Sequence, residues 1–466
     1  MSIDLGLDRI KALLEHIPYA RPTIHVVGTN GKGSVSSLIE HALLSGGLSV
    51  GKFTSPHLVH AYDCISINGQ SVSPVTYERL SSHLKSLSVD HEIDASPFEF
   101  LTATALSAFE EEKLDVVILE AGMGGRLDAT NALPDEVMLI TVITAIDFDH
   151  QAFLGDTISS IAREKAGVIR EHGSVVLGDQ SPESVAEVLQ AVVEVASQQS
   201  AKIIKSKPAT RITEGPGNSP SDGDAWEPPA PFQSISLPSL NGDKEIRIQL
   251  PLLGEHQLGN AGVAYEALKA LRERRPALFR AVSDDSISNG FGSVRWLGRL
   301  SWTTIPLPAF PPSEDKDGPP SLRVLVDGAH NEASSQALSS YLESVGLGGG
   351  RGHTPRTFIV AFSHSPPKTP EDILKKLLKS GDRVALIPFK QPVEGMPWVR
   401  NAWRDDVRRS VTKRIGSSGE IWEPQRHVAD SPFLQALHWA RRRGETAIIA
   451  GSLYLAGDFY REFGIL

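Results

Sequence analysis

The apolar positions of the chain alternate between short runs and longer stretches at helical spacing. Short apolar runs predict buried strands, and they lie at residues 23–27, 48–53, 116–119, 137–143 and 175–177. Helical spacing is found at 1–20, 35–44, 76–89, 97–113, 156–166 and 256–274. Strands that alternate with helices form a mostly parallel, helix-covered sheet. The pattern therefore predicts an α/β fold whose ligands bind beyond the carboxyl ends of the strands.

A second α/β unit is predicted in the last third of the chain. The sequence SNGFGS at 288–293 breaks helical periodicity, so we predict a first domain at 1–292 and a second at 293–466. Strand-like runs then return at 322–326, 357–362, 383–388 and 446–450. The stretches rich in Pro, Gly, Ser or Asp are predicted to be surface loops, at 206–233, 306–320 and 346–355.

A loop with three glycines directly follows the first predicted strand. We call GTNGKGS, residues 28–34, the glycine loop, and predict that Ser34 begins the next helix. A strand, a glycine loop and a helix N-terminus turn backbone N–H groups towards a phosphate. The general nucleotide pattern G-x-x-x-x-G-K-[ST] is met imperfectly, since Gly33 follows Lys32 and position 26 is valine. ATP is the predicted ligand, and a ligand-free glycine turn is the alternative.

Polar residues follow the other predicted strands of the first domain. Glu120 comes directly after 116–119, and Asp147, Asp149 and His150 follow 137–143. Each alone is a solvated loop residue or a helix cap, but together they suit Mg²⁺, which takes one or two carboxylates besides phosphates and water. Lys165 lies near a helix C-terminus, where a lysine is ordinarily only a favourable partner of the helix dipole.

The second domain places candidate residues at its own strand ends. DGAHN at 327–331 follows 322–326, and Gly451 and Ser452 follow 446–450. This pattern predicts a cleft at which two domains face each other, with capping residues of an ordinary βα unit as the alternative. Asn260, beside Gly259 in a predicted helix, reads equally as a turn or cap residue.

Composition narrows the functional classes. The chain has 466 residues, 40% of them hydrophobic, a net charge of −10 and a single cysteine, Cys64. One cysteine excludes an internal disulfide framework and a cysteine-based zinc site. The acidic charge gives no support to nucleic-acid binding. No apolar run approaches the roughly 20 residues that span a bilayer. The N-terminus resembles neither a signal nor a transit peptide, so we expect a cytoplasmic protein without a membrane partner.

Several motifs together resemble one family across nearly the whole chain. GTNGKGS, SPH, LDVVILEAGMGGRLDATN, FDH, EKAG, GNA, GRL, DGAHN and AGSLYL occur in the order and spacing of the folylpolyglutamate synthase/dihydrofolate synthase family, relatives of the Mur ligases. IDLGLDRI near the N-terminus and VEGMPW at 393–398 resemble the monofunctional dihydrofolate synthases of fungi in particular. The resemblance implies a Mur-ligase-type ATP-binding domain followed by a smaller Rossmann-like domain.

The reaction implied by the resemblance is an ATP-dependent amide ligation. Dihydropteroate is phosphorylated by ATP to an acyl phosphate, and L-glutamate displaces phosphate to give dihydrofolate. A folylpolyglutamate synthase, or a bifunctional enzyme, is the alternative. A nucleotide-binding module without ligase activity is a rival of another class, and would not need Asp327, His330 or Ser452. The implied cofactors are ATP and two Mg²⁺ ions, with a carbamylated lysine and a monovalent cation as further candidates. We expect a monomer.

The resemblance also implies roles for individual residues. The Mg²⁺ ligands match Ser55, Glu120 and His150, and the lysine that is carbamylated in the family matches Lys165. ATP contacts match Asn30, Gly31, Lys32, Gly33, Ser34, Asn260, Arg299 and Asp327. Contacts to the pterin substrate match Ser2, Ile3, Asp4, Leu5, Phe98, Glu99, Phe100, Leu101, Leu127, Asp128 and Ala129. His330 and Ser452 match catalytic positions near the glutamate and the acyl phosphate.

Overall fold

The chain divides into two compact units. The computed structural model describes residues 5–212, 230–306, 321–348, 355–364, 368–425, 431–442 and 446–465. The first unit comprises 5–212, Phe232–Pro251 and His256–Arg295, and the second comprises 230–231, Leu252–Glu255 and the described residues from Trp296 onward. Three predicted substrate residues, Ser2, Ile3 and Asp4, lie outside the described residues. So do 213–229, 307–320 and 349–354, which make up most of the three predicted loops.

A large, mostly parallel sheet organises the first unit. Its strands are β1 (Thr23–Val27), β2 (Val50–Phe53), β3 (Ile65–Ile67), β4 (Gln70–Ser71), β5 (Val116–Glu120), β6 (Met138–Ile143), β7 (Ser174–Leu177) and β8 (Lys202–Lys205). They lie in the order β4-β3-β2-β5-β1-β6-β7-β8. β1 is buried along its whole length and pairs in parallel with β5 and β6. A strand buried on both faces needs apolar residues throughout, as TIHVV largely supplies. The α/β prediction is confirmed.

Helices of the first unit are α1 (Asp8–Leu14), α2 (Lys32–Ser45), α3 (Pro74–Asp90), α4 (Pro97–Glu111), α5 (Gln151–Leu154), α6 (Ile158–Ala166), α7 (Val185–Gln198), α8 (His256–Arg274), α9 (Pro276–Phe279) and α10 (Asp284–Ser293). A separate antiparallel sheet, in the order β11-β10-β9, contains β9 (Thr210–Arg211), β10 (Gln233–Pro238) and β11 (Glu245–Leu250). This sheet was not predicted, although alternate residues of β11 are buried and exposed as expected of a half-buried strand.

The predicted break at 288–293 is wrong, because α10 runs through it to Ser293. Gly290 is buried against the backbone of Ala42 in α2, and a Cβ at this position would collide with that helix. The glycine therefore permits close packing of two helices instead of ending one of them. This close packing explains why a glycine, which has poor intrinsic helix propensity, lies inside the helix.

A second sheet forms the centre of the other unit. Its strands are β12 (Ser301–Pro306), β13 (Ser321–Val326), β14 (Thr357–Val360), β15 (Arg383–Leu386), β16 (Glu420–Trp422) and β17 (Thr446–Ala450), in the order β12-β13-β17-β14-β15-β16. β12 is antiparallel to β13, and the other pairs are parallel. The helices are α11 (Glu332–Ser344), α12 (Pro370–Leu377), α13 (Arg404–Ile415), α14 (Pro432–Arg441) and α15 (Leu453–Phe463).

The second unit has its own core, with Phe358 and Leu374 among its buried side chains. Every tryptophan within the described ranges belongs to this unit, and these are Trp296, Trp302, Trp398, Trp403, Trp422 and Trp439. No helix in the described parts of either unit is long and apolar enough to cross a membrane.

Candidate active site

The glycine loop is shaped by two glycines with positive φ. Gly28 has φ +148° and Gly31 has φ +93°, values that L side chains adopt rarely. A Cβ at Gly28 would collide with the Thr144 hydroxyl, and one at Gly31 with the Asn260 side chain. Gly31 is also the N-cap of α2, which begins at Lys32. The prediction that Ser34 begins this helix is therefore wrong by two residues, because Gly31 supplies the required left-handed turn.

The loop is fastened to the end of β6. Thr29 N donates to Ala145 O at 2.8 Å, and Thr144 Oγ1 donates to Asn30 O at 2.8 Å. Thr29 Oγ1 also exchanges hydrogen bonds with the backbone of Asp147, at 3.0 and 3.1 Å. The segment that leads to His150 is thus held to the glycine loop by backbone and threonine contacts.

Lys32 lies folded over the loop that carries it. Its Nζ donates to Gly28 O and Thr29 O, both at 3.3 Å, and lies 3.9 Å from Glu120 Oε1. Glu120 ends β5 and is 4% exposed. An ammonium and a carboxylate therefore stand at the carboxyl edge of the sheet beside backbone N–H groups of a helix N-terminus. This combination can bind a phosphate and its counter-cation.

Gln257 is a site residue that sequence reasoning missed. Its Nε2 donates to Ser34 Oγ at 3.3 Å, and its Oε1 accepts from Asn260 Nδ2 at 2.9 Å. The side chain is 1% exposed. Gln257 therefore joins two predicted ATP contacts from α8 and α2. The available signal was a second amide, three residues before Asn260 and on the same face of the helix.

Lys165 is buried beside the glycine loop. It is 3% exposed, and its Nζ donates to Gly28 O at 2.7 Å. Burial, together with the charge of Lys32, lowers the pKa of Lys165 to about 7, while Asp149 and Asp128 oppose this shift. A surface role as helix-dipole partner does not fit such a side chain. At neutral pH about half of the amine is neutral and nucleophilic.

The three predicted Mg²⁺ ligands share one edge of the sheet. Ser55 follows β2, Glu120 ends β5, and His150 is the N-cap residue of α5. β2 and β5 are neighbours, with Phe53 opposite Leu119. Among the described residues, no three His, Cys, Asp or Glu side chains form a ready-made metal cluster. The buried carboxylate of Glu120 nevertheless suits Mg²⁺, because this ion binds one or two carboxylates and takes most of its other ligands from phosphates and water.

Two predicted substrate segments contribute to one hydrophobic cluster, in which Phe98 and Phe100 pack with Ala129. The Phe98 ring packs on Gly122, where a Cβ would be 2.5 Å from Phe98 Cζ. Glu99, in the first turn of α4, accepts hydrogen bonds from Ser96 N at 2.6 Å and Arg9 Nε at 3.1 Å. The first bond belongs to a capping box, so the Glu99 side chain also has a structural task. Phe100 and Leu101 lie in the same helix, and Leu5 precedes α1.

Asp128 organises the segment from 122 to 131. Its carboxylate accepts from Met123 N at 2.8 Å, Thr130 N at 3.0 Å and Thr130 Oγ1 at 2.6 Å. Burial raises the pKa of this carboxyl, and these hydrogen bonds oppose the rise. Leu127 and Ala129 stand on either side of it. The structure thus gives Asp128 a role in holding the loop, beside any contact with a substrate.

In the second unit, Asp327 is the central polar residue. Its two carboxylate oxygens accept from Leu300 N and Ala329 N, each at 2.8 Å. Burial raises its pKa, and the nearby charge of Arg299 opposes that rise. Asp327 therefore fixes the backbone directly after Arg299 and that of Ala329 within the DGAHN segment.

His330 and Ser452 belong to the same edge of this second sheet. Gly451 N donates to Ala329 O at 3.0 Å, which joins the loops after β13 and β17. His330 Nδ1 lies 2.8 Å from Gly328 O. Since a carbonyl can only accept, Nδ1 carries a proton, and in the neutral ring the lone pair is on Nε2. Ser452 is 2% exposed and caps α15 through Tyr454 N at 3.1 Å.

Comparisons with known proteins agree with this architecture. The family described as Mur ligase middle domain matches residues 26–268, and that described as Dihydrofolate synthetase, C-terminal domain, matches 315–462. The dihydrofolate synthetase of Saccharomyces cerevisiae is 31% identical over 99% of this chain and 98% of its own. A probable dihydrofolate synthetase of Schizosaccharomyces pombe is 31% identical over 99% of both chains.

A solved structure shows the same fold over nearly its full length. Mycobacterium tuberculosis folylpolyglutamate synthase, complexed with ADP and AMPPCP, superposes with a TM-score of 0.75 at 25% identity, covering 98% of this chain and 95% of the other. This chain has a glycine loop at the edge of a parallel sheet and a second α/β unit. It thus has the fold of the Mur-ligase-related ATP-dependent ligases. The chain belongs to the folylpolyglutamate synthase/dihydrofolate synthase family, as its motifs indicated.

Proposed function

We propose that this protein is a dihydrofolate synthase, which joins L-glutamate to 7,8-dihydropteroate at the expense of ATP. The products are dihydrofolate, ADP and phosphate. The observation that carries this assignment is the full-length match to two fungal relatives named as dihydrofolate synthetases, together with a C-terminal domain of the same description. Both units of the chain are included in those matches.

The first unit is proposed to activate the carboxylate. A carboxylate is a poor acyl donor, and phosphorylation by ATP supplies phosphate as a leaving group. The glycine loop and Lys32 then neutralise phosphoryl charge and orient ATP for attack. Gly33 and Asn30 complete the loop, and Gln257 keeps Ser34 and Asn260 in place. Leu127, Asp128, Ala129 and the helix with Phe98 are proposed to receive the pterin acceptor.

Mg²⁺ is the implied metal, and Ser55, Glu120 and His150 are the residues that would hold it. When bound, the ion balances phosphate charge and orients the transferred group. Glu120 provides the carboxylate, and the partly buried Lys32 places its Nζ 3.9 Å from Glu120 Oε1. We expect Glu120→Gln to lower the affinity for Mg²⁺, measured as the Mg²⁺ concentration that gives half-maximal turnover.

Lys165 is proposed to be carbamylated. Its neutral amine adds to CO₂, forming a carbamate and releasing one proton, and the new carboxylate balances the charge of the site. A pKa near 7 favours this reaction because the amine must be neutral. Lys165→Ala should lose most turnover together with the dependence on bicarbonate. An active, bicarbonate-independent wild type would remove carbamylation from the mechanism.

The second unit is proposed to serve the glutamate step. His330, with its lone pair on Nε2, can accept a proton as the glutamate amine becomes nucleophilic. Gly451 N and Ala329 O hold the two loops of this sheet edge together, and Ser452 caps the helix that follows. Arg299 and Asp327 are further proposed ATP contacts. These roles are those of the family positions that the residues match. In the neutral ring of His330 the lone pair is on Nε2, as proton acceptance requires.

One assay separates the proposed acceptor from its alternative. Folylpolyglutamate synthase is the second candidate, because a solved relative of that name has the same fold over 95% of its length. Purified protein is supplied with ATP, Mg²⁺ and glutamate, and then with dihydropteroate or with tetrahydrofolate monoglutamate. Turnover of dihydropteroate is expected. Turnover of the folate alone would reverse the assignment, and turnover of both would identify a bifunctional enzyme.

We further propose that the protein acts as a cytoplasmic monomer. Light scattering of the purified protein should give the mass of one chain, and cell fractionation should recover activity in the cytosol.

A further inference from the structure

A buried chain of hydrogen bonds leads from the first strand of the sheet to Asp128. Thr130 Oγ1 lies 2.6 Å from Asp128 Oδ1 and 2.8 Å from His25 Nε2. His25 lies in β1, three residues before Gly28, and is fully buried. No predicted role was given to either His25 or Thr130. Thr130 directly follows the segment that we propose to receive the acceptor, and His25 contacts Thr130.

The direction of these hydrogen bonds can be deduced. Asp128 already accepts two backbone N–H groups, so its carboxylate is the acceptor in this chain. The single hydroxyl proton of Thr130 therefore points to Asp128. Thr130 Oγ1 must then accept its other bond from His25 Nε2–H. The imidazole of His25 is consequently held in one tautomer, with the proton on Nε2.

The surroundings of the other ring nitrogen, Nδ1, indicate that the imidazole is neutral. Within the described residues, His25 Nδ1 is buried and has no hydrogen-bond partner. A proton there would leave a buried, unpaired N–H, which is costly. Burial and the charge of Arg170 lower the pKa of His25 to about 3, in agreement with this state. His25 is therefore a fixed donor over the pH range in which the enzyme would work.

The same segment is tied to the helix that carries Lys165. Arg126 N donates to Glu164 O at 2.8 Å, and Asn131 Nδ2 donates to Arg126 O at 3.0 Å. Arg170 Nη2 in turn donates to Asn131 Oδ1 at 2.8 Å. Lys165, the next residue after Glu164, contacts Gly28 O. The contacts form a closed ring through β1, the segment 126–131, α6 and the glycine loop.

We propose that His25 is a positioning residue for the acceptor, acting through Thr130 on Asp128. It sets the segment with Leu127, Asp128 and Ala129 in register with Lys165 and the glycine loop. This inference rests on the proposed function, since it assumes that the segment binds the acceptor. Loss of the relay should displace the acceptor from the attacking position, while the ATP site, held by Gln257 and Thr144, stays intact.

Paired variants test the relay. Thr130→Val removes the hydroxyl at nearly constant shape, and Thr130→Ser retains it. His25→Phe removes the donor, and His25→Gln offers an amide N–H in its place. We expect the Val and Phe variants to raise the KM for the acceptor about tenfold, with the KM for ATP and the affinity for ADP unchanged. Ser and Gln should restore the acceptor KM to within about threefold of wild type.

A purely structural role gives a different result. Equal increases in the KM for ATP, glutamate and acceptor, or loss of the fold in both apolar variants, would overturn the proposal. Failure of the conservative variants to rescue would also contradict it. The measurements use whichever acceptor the wild-type protein turns over, dihydropteroate or tetrahydrofolate monoglutamate. If the proposed acceptor is wrong, the wild-type protein already shows it by the acceptor that it turns over. If the relay is wrong, only the KM values of the variants show it.

Discussion

Lys165 illustrates how burial changes the chemistry of one residue. Its pKa falls to about 7 from 10.5 because the ammonium form loses hydration and lies near Lys32. Between those two values the unfolded chain binds more protons than the folded chain at this position. The free energy of unfolding should therefore rise with pH from about 7 to about 10, once carbamylation is prevented.

The corresponding prediction compares Lys165→Met with the wild type in CO₂-depleted buffer. The difference in unfolding free energy, wild type minus variant, should increase by up to about 1.4 kcal/mol per pH unit above pH 7. Urea unfolding followed by circular dichroism at pH 7, 8 and 9 measures it. Lys85→Met, on the exposed face of α3, is the control. Parallel curves for Lys165→Met and the wild type would disprove a titrating amine.

Individual site residues could be predicted only where a motif carried them. Lys165 alone looks like a helix-dipole partner, and only its place in EKAG led to a functional role. Gln257 and His25 were missed because their partners are distant in sequence, 223 residues away for Ser34 and 105 for Thr130. Such contacts depend on which strands and helices become neighbours, and for Gln257 the sequence showed only the amide three residues before Asn260.

Among the elements, the glycine loop restricts its residues most, because its backbone conformation requires glycine. Gly31→Ala would place a Cβ against Asn260 and force a positive φ on alanine. We expect the affinity for ADP to fall about tenfold or more, since the strain costs about 1–2 kcal/mol. Calorimetry measures the affinity, and Gly259→Ala, which meets nothing within 4 Å, is the matched control. Equal ADP affinities of the two variants would show that ADP binding does not depend on the tight conformation of the loop at Gly31.

A buried ion pair joins α2 to β2. Lys52 Nζ lies 2.5 Å from Glu40 Oε2 and donates to Ser37 Oγ at 3.0 Å, while Ser66 Oγ donates to Glu40 Oε1 at 2.8 Å. The glycine loop leads into α2, and Ser55 follows β2. This network therefore connects the elements that carry ATP contacts and a proposed Mg²⁺ ligand.

Removing one member of this pair should lower the free energy of unfolding more than removing both charges does. Lys52→Met leaves the Glu40 carboxylate buried without its cation, which costs about 3–5 kcal/mol. Adding Glu40→Gln should recover much of that loss. Urea unfolding of the two variants and the wild type measures the effect. A double variant no more stable than Lys52→Met would show that the pair is not coupled.

Element types were predicted better than their limits and their roles. Most of the parallel strands of both units, and helix α8, agree with the apolar pattern, whereas α10 was mistaken for a break. A glycine that permits close helix packing resembles a glycine that ends a helix when only the sequence is known. The edge strands β12 and β16 and the small antiparallel sheet were also missed, because short, partly exposed strands show little apolar periodicity.

At the scale of the whole molecule, the two units have separate sheets and separate cores. The predicted boundary at 292/293 lies close to the division between Arg295 and Trp296, although the reason given for it was a false helix break. The assignment of ATP and pterin to the first domain and of glutamate to the second stays a prediction.

The uneven placement of tryptophan gives the chain an optical label. The described tryptophans all lie in the second unit, and Trp296 and Trp302 flank Arg299 by three residues on either side. If Arg299 contacts the nucleotide, ADP should alter the tryptophan emission with the same midpoint as calorimetric binding. In Trp296→Phe the change should diminish, and in Gly31→Ala its midpoint should move to higher ADP concentration by the same factor as calorimetric binding. Calorimetric binding with unchanged emission would confine ADP to the first unit. Within the described residues, tryptophan emission therefore reports on the second unit, because the described part of the first unit, including the glycine loop, contains no tryptophan.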